Sequence, residues 1–435
     1  MDANVRLVAI CFLCGLIVLS MGNILARLKG FQKLTPIEES LRLFLDAAHA
    51  KKPKPVVIPL VSALNRILAG NIIAKEDLPR CDRSAVDGYA VRAKDTVGAS
   101  QFKPRTLQLI EGGLVGKCQV IQVWTGNPIP EGANAVVMLE NTKKTKDNID
   151  VWTVVTPYEN VSRRGEDVPK GRIAVTAGIR LKPHHLGLIA ALGYTEVAVF
   201  EIPKIGILAT GNELVDVGSK RSQSQIFDAN THILSALTRE LGAEPIRLGV
   251  VKDNIDEIRS KVKLGLEKAD AILTSGGTSV GGSDLVPEVI GKMGKPGVIV
   301  HGIAMRPGMP TALALVKGKP IIVLPGNPVA AMVGFEVFAR PLMCRMLGLK
   351  EEEQRPIVTA KMTRKIATSL GRKTFVRVLV SERNGEYLAQ PISARGSGII
   401  STMTQANGYV IVPENREGLA EGEFVSVHLF DAVKQ

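Results

Sequence analysis

The sequence predicts a multidomain protein of α/β plus β class. A β-rich N-terminal region precedes a central α/β domain with a mostly parallel sheet and a small C-terminal β domain. Three observations carry that prediction. The chain has 435 residues, enough for several cores at roughly 100–200 residues per domain. Between residues 205 and 347 apolar runs of strand length alternate with helical repeats, the pattern of a parallel sheet covered on both faces. Beyond Pro356 only β-like segments remain. Hydrophobic residues at 45% and charged residues at 22% exclude wholesale disorder.

The leading segment differs from the body. Residues 7–26 carry no charge, flanked by Arg6 before and by Arg27, Lys29 and Lys33 after. Three readings stand: a membrane anchor that keeps the body in the cytoplasm, a signal peptide cleaved near Ser20 and Gly22, or an upstream extension with Met21 as the true start. Cys11 and Cys14 form a lone C-x-x-C inside this run, with no second pair to complete a zinc site. Five cysteines in all fit a reducing, cytoplasmic setting better than a disulfide framework.

The elements follow in order. Thr35-Pro36-Ile37-Glu38 reads as a helix start, with Thr35 as N-cap and Pro36 at the first helical position. Ile37, Leu41, Phe44, Leu45 and Ala48 share one face of that helix. A short strand over 56–60 and a short helix ending at Gly70 come next. From 71 to 200 short β runs (119–124, 135–139, 149–155) alternate with Gly, Pro and Asp, and 183–192 reads as a helix. The central segment gives strands over 205–209, 246–251, 271–273 and 321–324. Its helices run over 231–241, 255–268 and 328–347, the last stopped by Gly348. The closing β runs (374–380, 409–412, 424–429) suit a small barrel or sandwich.

In an open α/β sheet, ligands sit beyond the carboxyl ends of the strands. There the central segment places Thr210-Gly211-Asn212-Glu213 and Lys252-Asp253. It also places there the run from Ser275, Gly276 and Gly277 through Ser279 and Gly281 to Asp284, and Pro325-Gly326-Asn327. Gly-rich turns beside helix N-termini offer amide hydrogens to phosphate or another anion. Glu213, Asp253 and Asp284 converge, on this reading, where Mg²⁺ would bridge carboxylates and phosphate oxygens. The plainer account makes the loops simple turns, and Asp253 and Asp284 helix N-caps.

Several classes are excluded. No G-x-x-x-x-G-K-[ST], dinucleotide fingerprint or H-E-x-x-H occurs. His184 and His185 are helix neighbours whose side chains diverge. The net charge of +13 favours anions, yet the basic clusters 51–54 and 143–146 are short and lack aromatics, so no nucleic-acid partner is expected.

A second group of motifs lies upstream: Asp82-Arg83-Ser84-Ala85-Val86-Asp87-Gly88-Tyr89-Ala90, Trp124-Thr125-Gly126-Asn127-Pro128 and Arg163-Arg164-Gly165-Glu166-Asp167. Together with T-G-N-E-L from Thr210, S-G-G-T-S-V-G from Ser275, R-P-G-M-P from Arg306 and L-P-G-N-P from Leu324, they resemble the molybdopterin molybdenumtransferases. That family comprises MoeA of prokaryotes and the E domain of gephyrin in animals. The motifs stand in the family's order from about Leu34 to the C-terminus.

The resemblance implies insertion of molybdate into adenylylated molybdopterin with release of AMP, assisted by Mg²⁺. It implies an N-terminal extension over 1–33 outside the family pattern. An elongated N-terminal region over 34–202 follows, split into two subdomains with a β-rich insert at about 75–162. A central domain over 203–348 and a C-terminal barrel over 355–435 complete the chain. It also implies a homodimer and contact with other cofactor-synthesis proteins. Carried over motif by motif, Asp87, Thr125, Asp167, Glu213 and Arg306 are catalytic positions. Glu213, Asp253 and Asp284 surround metal or pterin phosphate, and Asp87, Thr125 and Asp167 are supplied across the dimer.

The sequence departs from the family pattern. The family's second cation in K-P-G-K is Met309 here, its upstream Lys is Gly302, and Ser162 replaces an arginine. Arg372 and Arg377, with the loop Gly396-Ser397-Gly398, are candidate substitutes for the missing oxyanion contacts. A membrane-tethered binding scaffold of gephyrin type and a tungstate-selective enzyme are the alternative functions.

Overall fold

The computed structural model describes residues 33–48, 53–277, 284–392 and 396–434. Two compact units emerge: Pro55–Val199, and Phe200–Gln435 together with the segment up to Lys54.

The larger unit is built on a six-stranded sheet. Its strands are β1 (Lys204–Thr210), β2 (Glu244–Val251), β3 (Ala271–Ser275), β4 (Pro296–His301), β5 (Ala312–Val316) and β6 (Lys319–Leu324). Their order is β2-β1-β3-β6-β5-β4. The first four are mutually parallel, β5 pairs antiparallel with β6, and β4 pairs antiparallel with β5 at the edge of the sheet. Alternate residues divide between two faces, as a pleated strand requires. Ile205, Ile207, Leu273, Ile322 and Leu324 enter one core, and Leu208, Ile272, Ile321 and Val323 the other.

Helices cover both faces. On the first face lie α1 (Ile37–Ala47), α2 (Asn230–Glu240) and the helical run that begins with α5 (Pro328–Gly334). On the second lie α3 (Ile255–Lys268) and α4 (Leu285–Gly291). Gly265 lets α3 press on the sheet, since a Cβ there would stand 2.7 Å from Leu248 Cδ1 and 2.8 Å from Ile272 Cδ1.

Local details differ from the sequence reading. In place of a helix ending at Gly70 there is a single 3-10 turn, Leu60–Ser62, and Ile67 and Leu68 make β-bridges. Thr35 does not cap α1, because its backbone is taken up by the Gly302–Ala304 segment; Pro36 stands at the N-cap instead. So placed, α1 buries Ile37, Phe44 and Leu45 against the central sheet. The helix expected over 328–347 contains a π-helical stretch, Phe335–Ala339, before α6 (Arg340–Leu347). Pro341 has no N–H to return to the preceding turn, and a widened turn absorbs that loss. Finally, the N-cap of α3 is Asn254, whose side chain accepts from the Asp256 and Glu257 amides; Asp253 is left outside.

The C-terminal segment is a barrel rather than a sandwich. Strand Lys373–Arg383 pairs with Glu386–Pro391 on one side and Gly408–Val412 on the other, and Ile357–Met362 and Phe424–Leu429 complete the ring. Its interior holds Met362, Val378, Val380, Val410, Val412 and Val427. Met305–Arg306 adds beside Lys373–Arg383 in parallel, so the central domain and the barrel share a seam.

The other unit holds separate cores. One six-stranded sheet, with Gly88–Val91 between Gln119–Val123 and Ala135–Met138, encloses Val91, Val120 and Ile149. A second core gathers Leu68, Leu181 and Ile189 under the helix Pro183–Ala191. No helix among the described residues is long and apolar enough to cross a membrane. The apolar stretch 7–26, with its cysteine pair, lies outside them.

Candidate active site

The loops at the carboxyl edge of the central sheet are tied together by backbone. The Gly211 amide donates to Val251 O (3.0 Å) and the Gly276 amide to Leu324 O (3.1 Å). Only glycine fits at 276, where φ is +98° and a Cβ would stand 2.1 Å from Thr210 O. Asn230 Nδ2 donates to Ser275 Oγ and to Gly326 O (2.7 Å each), and Ser275 Oγ donates to Pro325 O (3.2 Å). Sequence reasoning missed Asn230; ahead of a helix it reads as one more capping residue.

Glu213, Asp253 and Asp284 follow the three neighbouring strands β1, β2 and β3, so they share this edge. Glu213 folds back over Gly211, where a Cβ would lie 2.8 Å from both carboxylate oxygens. The Asp253 amide donates to Asn212 Oδ1 (3.2 Å). Asp284 stands at the N-cap of α4 without making a capping bond. Its Oδ2 lies 3.6 Å from His301 Nε2, a neighbour the sequence did not single out.

Among the described residues no three acidic, His or Cys side chains form a ready cation cage. Asp284 Oδ1 is nevertheless buried without a hydrogen-bond partner there, as is Thr210 Oγ1. An orphaned carboxylate oxygen suits a hard cation, and Mg²⁺ commonly takes one or two carboxylates and fills its shell with water and phosphate oxygens. Ser279 and Gly281 lie outside the described residues.

A cleft of about 710 Å³ opens where the central domain meets the barrel. Arg306, Arg364, Lys365, Arg372 and Arg377 line it, and no carboxylate does among the described residues. Met309 replaces an expected cation, and the Arg372 guanidinium lies 3.8 Å from its sulfur, so the barrel brings a positive charge to that position. Arg377 Nε is buried with no hydrogen-bond partner among the described residues, and burial pushes its pKa down. Ser397 Oγ pairs with Asn327 Nδ2 (2.9 Å) and Ser397 O accepts from the Val329 amide (3.2 Å), fixing the 396–398 loop to Pro325-Gly326-Asn327. Arg364 and Lys365 lie in no motif, and sequence reasoning passed over them.

In the Pro55–Val199 unit the three upstream motifs interlock. Arg83–Ser84 pairs with Val161–Ser162. The Ser84 amide donates to Asn127 O, and the Gly126 amide to Ser84 O. Thr125 donates twice to Asp87 Oδ1, from its amide and its hydroxyl, each at 2.7 Å. Those two bonds hold the Asp87 carboxyl below the usual carboxylate range. Asp167 is exposed and hung by its amide on Leu78 O (3.1 Å), and no hydrogen bond given for it reaches Asp87.

Three family models match the chain in succession: the MoeA N-terminal region (domains I and II) over 35–193, the probable molybdopterin-binding domain over 206–345, and the MoeA C-terminal region (domain IV) over 359–430. A putative molybdopterin biosynthesis protein of Methanocaldococcus jannaschii is 38% identical over 92% of this chain and 97% of its own. The molybdopterin molybdenumtransferase of Bacillus subtilis is 34% identical over 91% and 94%. A crystal structure of a molybdopterin biosynthesis MoeA protein from Pyrococcus horikoshii superposes with a TM-score of 0.78. It is 32% identical and covers 92% of this chain and 100% of that one.

Proposed function

The chain belongs to the molybdopterin molybdenumtransferase family, and from that premise we propose that it inserts molybdate into adenylylated molybdopterin, releasing AMP and yielding molybdenum cofactor. One observation carries the reading: a cleft whose described residues include five cations and no acid, at the seam between central domain and barrel. Molybdate is a dianion that must approach a phosphorylated partner. Unopposed like charge repels both, so the pocket needs fixed positive groups and aligned donors where the oxyanion rests.

Arg306, Arg372 and Arg377 are the clamp, and Ser397 adds a hydroxyl beside them. The loops of Thr210, Gly211, Ser275, Gly276, Gly277 and 325–327 frame the pterin phosphate, and the Thr210 hydroxyl, unpartnered among the described residues, is the donor left to meet it. Asp284, with Glu213 and Asp253 on the same edge, would hold Mg²⁺. Bound there, the metal supplies neutralisation of the phosphoanhydride and of the departing AMP. Asp87, Thr125 and Asp167 are assigned to the site of the other protomer in a homodimer. The Thr125 bonds keep Asp87 ionised and fixed for that role.

The test is molybdate-dependent AMP release from adenylylated molybdopterin by the full chain, with tungstate as a parallel arm. Arg372→Ala is expected to lower the rate by about 10²–10³-fold, as the loss of an oxyanion donor does elsewhere. Binding of substrate without AMP release in the wild type would defeat the enzymatic reading and favour a scaffold.

A further inference from the structure

Trp124 is one of two tryptophans in the chain and is 52% exposed. The exposure is not that of a loose loop. Its amide donates to Asn127 Oδ1 (3.0 Å) and its carbonyl accepts from the Asn127 amide (2.9 Å). The next residue is doubly bonded to Asp87, and Gly126 is bonded to Ser84. A rigid backbone therefore presents a large apolar ring to solvent.

Other aromatic rings at the surface are covered differently. Arg163 lies over Tyr158 (4.4 Å), Lys75 over Tyr194 (4.4 Å), Arg221 over Phe227 (4.9 Å) and Lys361 over Phe424 (6.0 Å). Indole is the strongest cation acceptor of the aromatic side chains. Yet in this strongly basic chain no cation or ring given among the described residues covers Trp124. Phe102, 99% exposed, is also bare, but it belongs to a surface turn closed by Ser100 and Lys103. Trp124 instead sits inside the interlocked motifs. Asp87 spends only Oδ1 on Thr125, and Arg83 Nη1 reaches Gly126 O (3.3 Å).

A free ring face, a carboxylate able to accept from an exocyclic amine, and a nearby guanidinium for an anionic tail suit one kind of ligand. We propose that Trp124 is a stacking platform for the amino-bearing heteroaromatic ring of the substrate, its adenine or its pterin. The proposal rests on the function given above and adds a binding residue to it.

The test uses full-length protein carrying Trp152→Phe, so that Trp124 alone fluoresces. AMP and 6-hydroxymethylpterin are titrated separately, following emission and, for Trp124→Ala and Trp124→Phe, affinity by calorimetry. Saturable quenching is expected from whichever ring stacks, which identifies it. Trp124→Ala should weaken that ligand by about five- to one-hundred-fold, the range seen when a stacked base loses its aromatic partner. Trp124→Phe should restore part of the loss.

No quenching by either ligand, or wild-type affinity in the alanine variant, overturns the proposal. So does a shift in oligomeric state with unchanged affinity, which would make Trp124 a subunit contact. Turnover is measured alongside. Stacking confirmed without AMP release would defeat the enzymatic reading alone, and turnover with unchanged KM in Trp124→Ala would defeat the stacking alone.

Discussion

Two charged regions of the larger unit are wired oppositely. In one, Glu336 of the π-helical stretch receives Arg340 Nε (2.7 Å) and Arg355 Nη2 (2.7 Å), and Arg355 also reaches Glu240 (2.8 Å). Burial pushes the Glu336 pKa up, and the two guanidiniums more than reverse that, so it is held below its ordinary value. In the other, the cleft at Met309 and Arg377, cations collect with no acid among the described lining residues. A closed knot spends its charge on holding the chain together. In the open cleft Arg377 Nε has no hydrogen-bond partner among the described residues, so charge is left there for something that is not chain. The contrast separates structural from functional charge where net charge alone could not.

The largest effect should come from opening the knot. Glu336→Ala leaves two partly buried guanidiniums with only Glu240 (2.8 Å from Arg355, 3.9 Å from Arg340), and removing one member of a buried pair costs up to about 3–5 kcal/mol. Urea unfolding should show that loss, and Glu336→Gln a smaller one. If the cleft is wired as described, Arg377→Ala does the reverse: thermal stability holds or rises as like-charge repulsion falls, while molybdate-dependent turnover drops about 10²-fold. A variant that lost stability and kept turnover would erase the distinction between the regions.

Asp284→Ala tests the carboxyl edge of the central sheet, where Asp284 Oδ1 is buried with no hydrogen-bond partner among the described residues. Turnover should fall by about tenfold or more with the melting curve unchanged, and Mn²⁺ binding followed by EPR should weaken in parallel. Thr125 lies between the two cases. Thr125→Val removes one of two bonds to Asp87, so the carboxyl pKa should rise toward its ordinary value, measurable by NMR titration. Activity should fall about tenfold, and Thr125→Ser should preserve both.

Much of this arrangement was legible from residue order. The parallel sheet announced itself through strands buried on both faces, whose apolar runs are unbroken, and Gly276 as part of a Gly-rich turn, though not its close approach to Thr210 O. Glu213, Asp253 and Asp284 reached one edge because strand ends in such a sheet share a side. Arg364, Lys365 and Asn230 were not legible. Each depends on which distant segment faces it, and a barrel seam has no local signature. The start of α1 misled for a related reason: Thr35 has capping chemistry, but a tertiary pairing with the Gly302–Ala304 segment claimed its backbone first.

The smallest predicted effect extends the comparison to pH. His428 is half-buried on the barrel strand Phe424–Leu429, stacked on Tyr409 with ring centres 5.2 Å apart. Burial lowers its pKa below the ordinary 6.5, and burial raises that of Tyr409 to about 12. The unfolded chain therefore takes up a proton at His428 at a higher pH than the folded barrel does. Stability from the neutral imidazole is complete above the unfolded value and is lost as pH falls from about 6.5 toward the folded value. His428→Phe keeps the stack and removes the titration, so its urea midpoint should fall less between pH 7 and pH 5.5 than that of the wild type. The Glu336 knot must not produce this slope: its carboxyl, held below the ordinary value, titrates at lower pH, so Glu336→Gln should leave the difference between pH 7 and 5.5 intact.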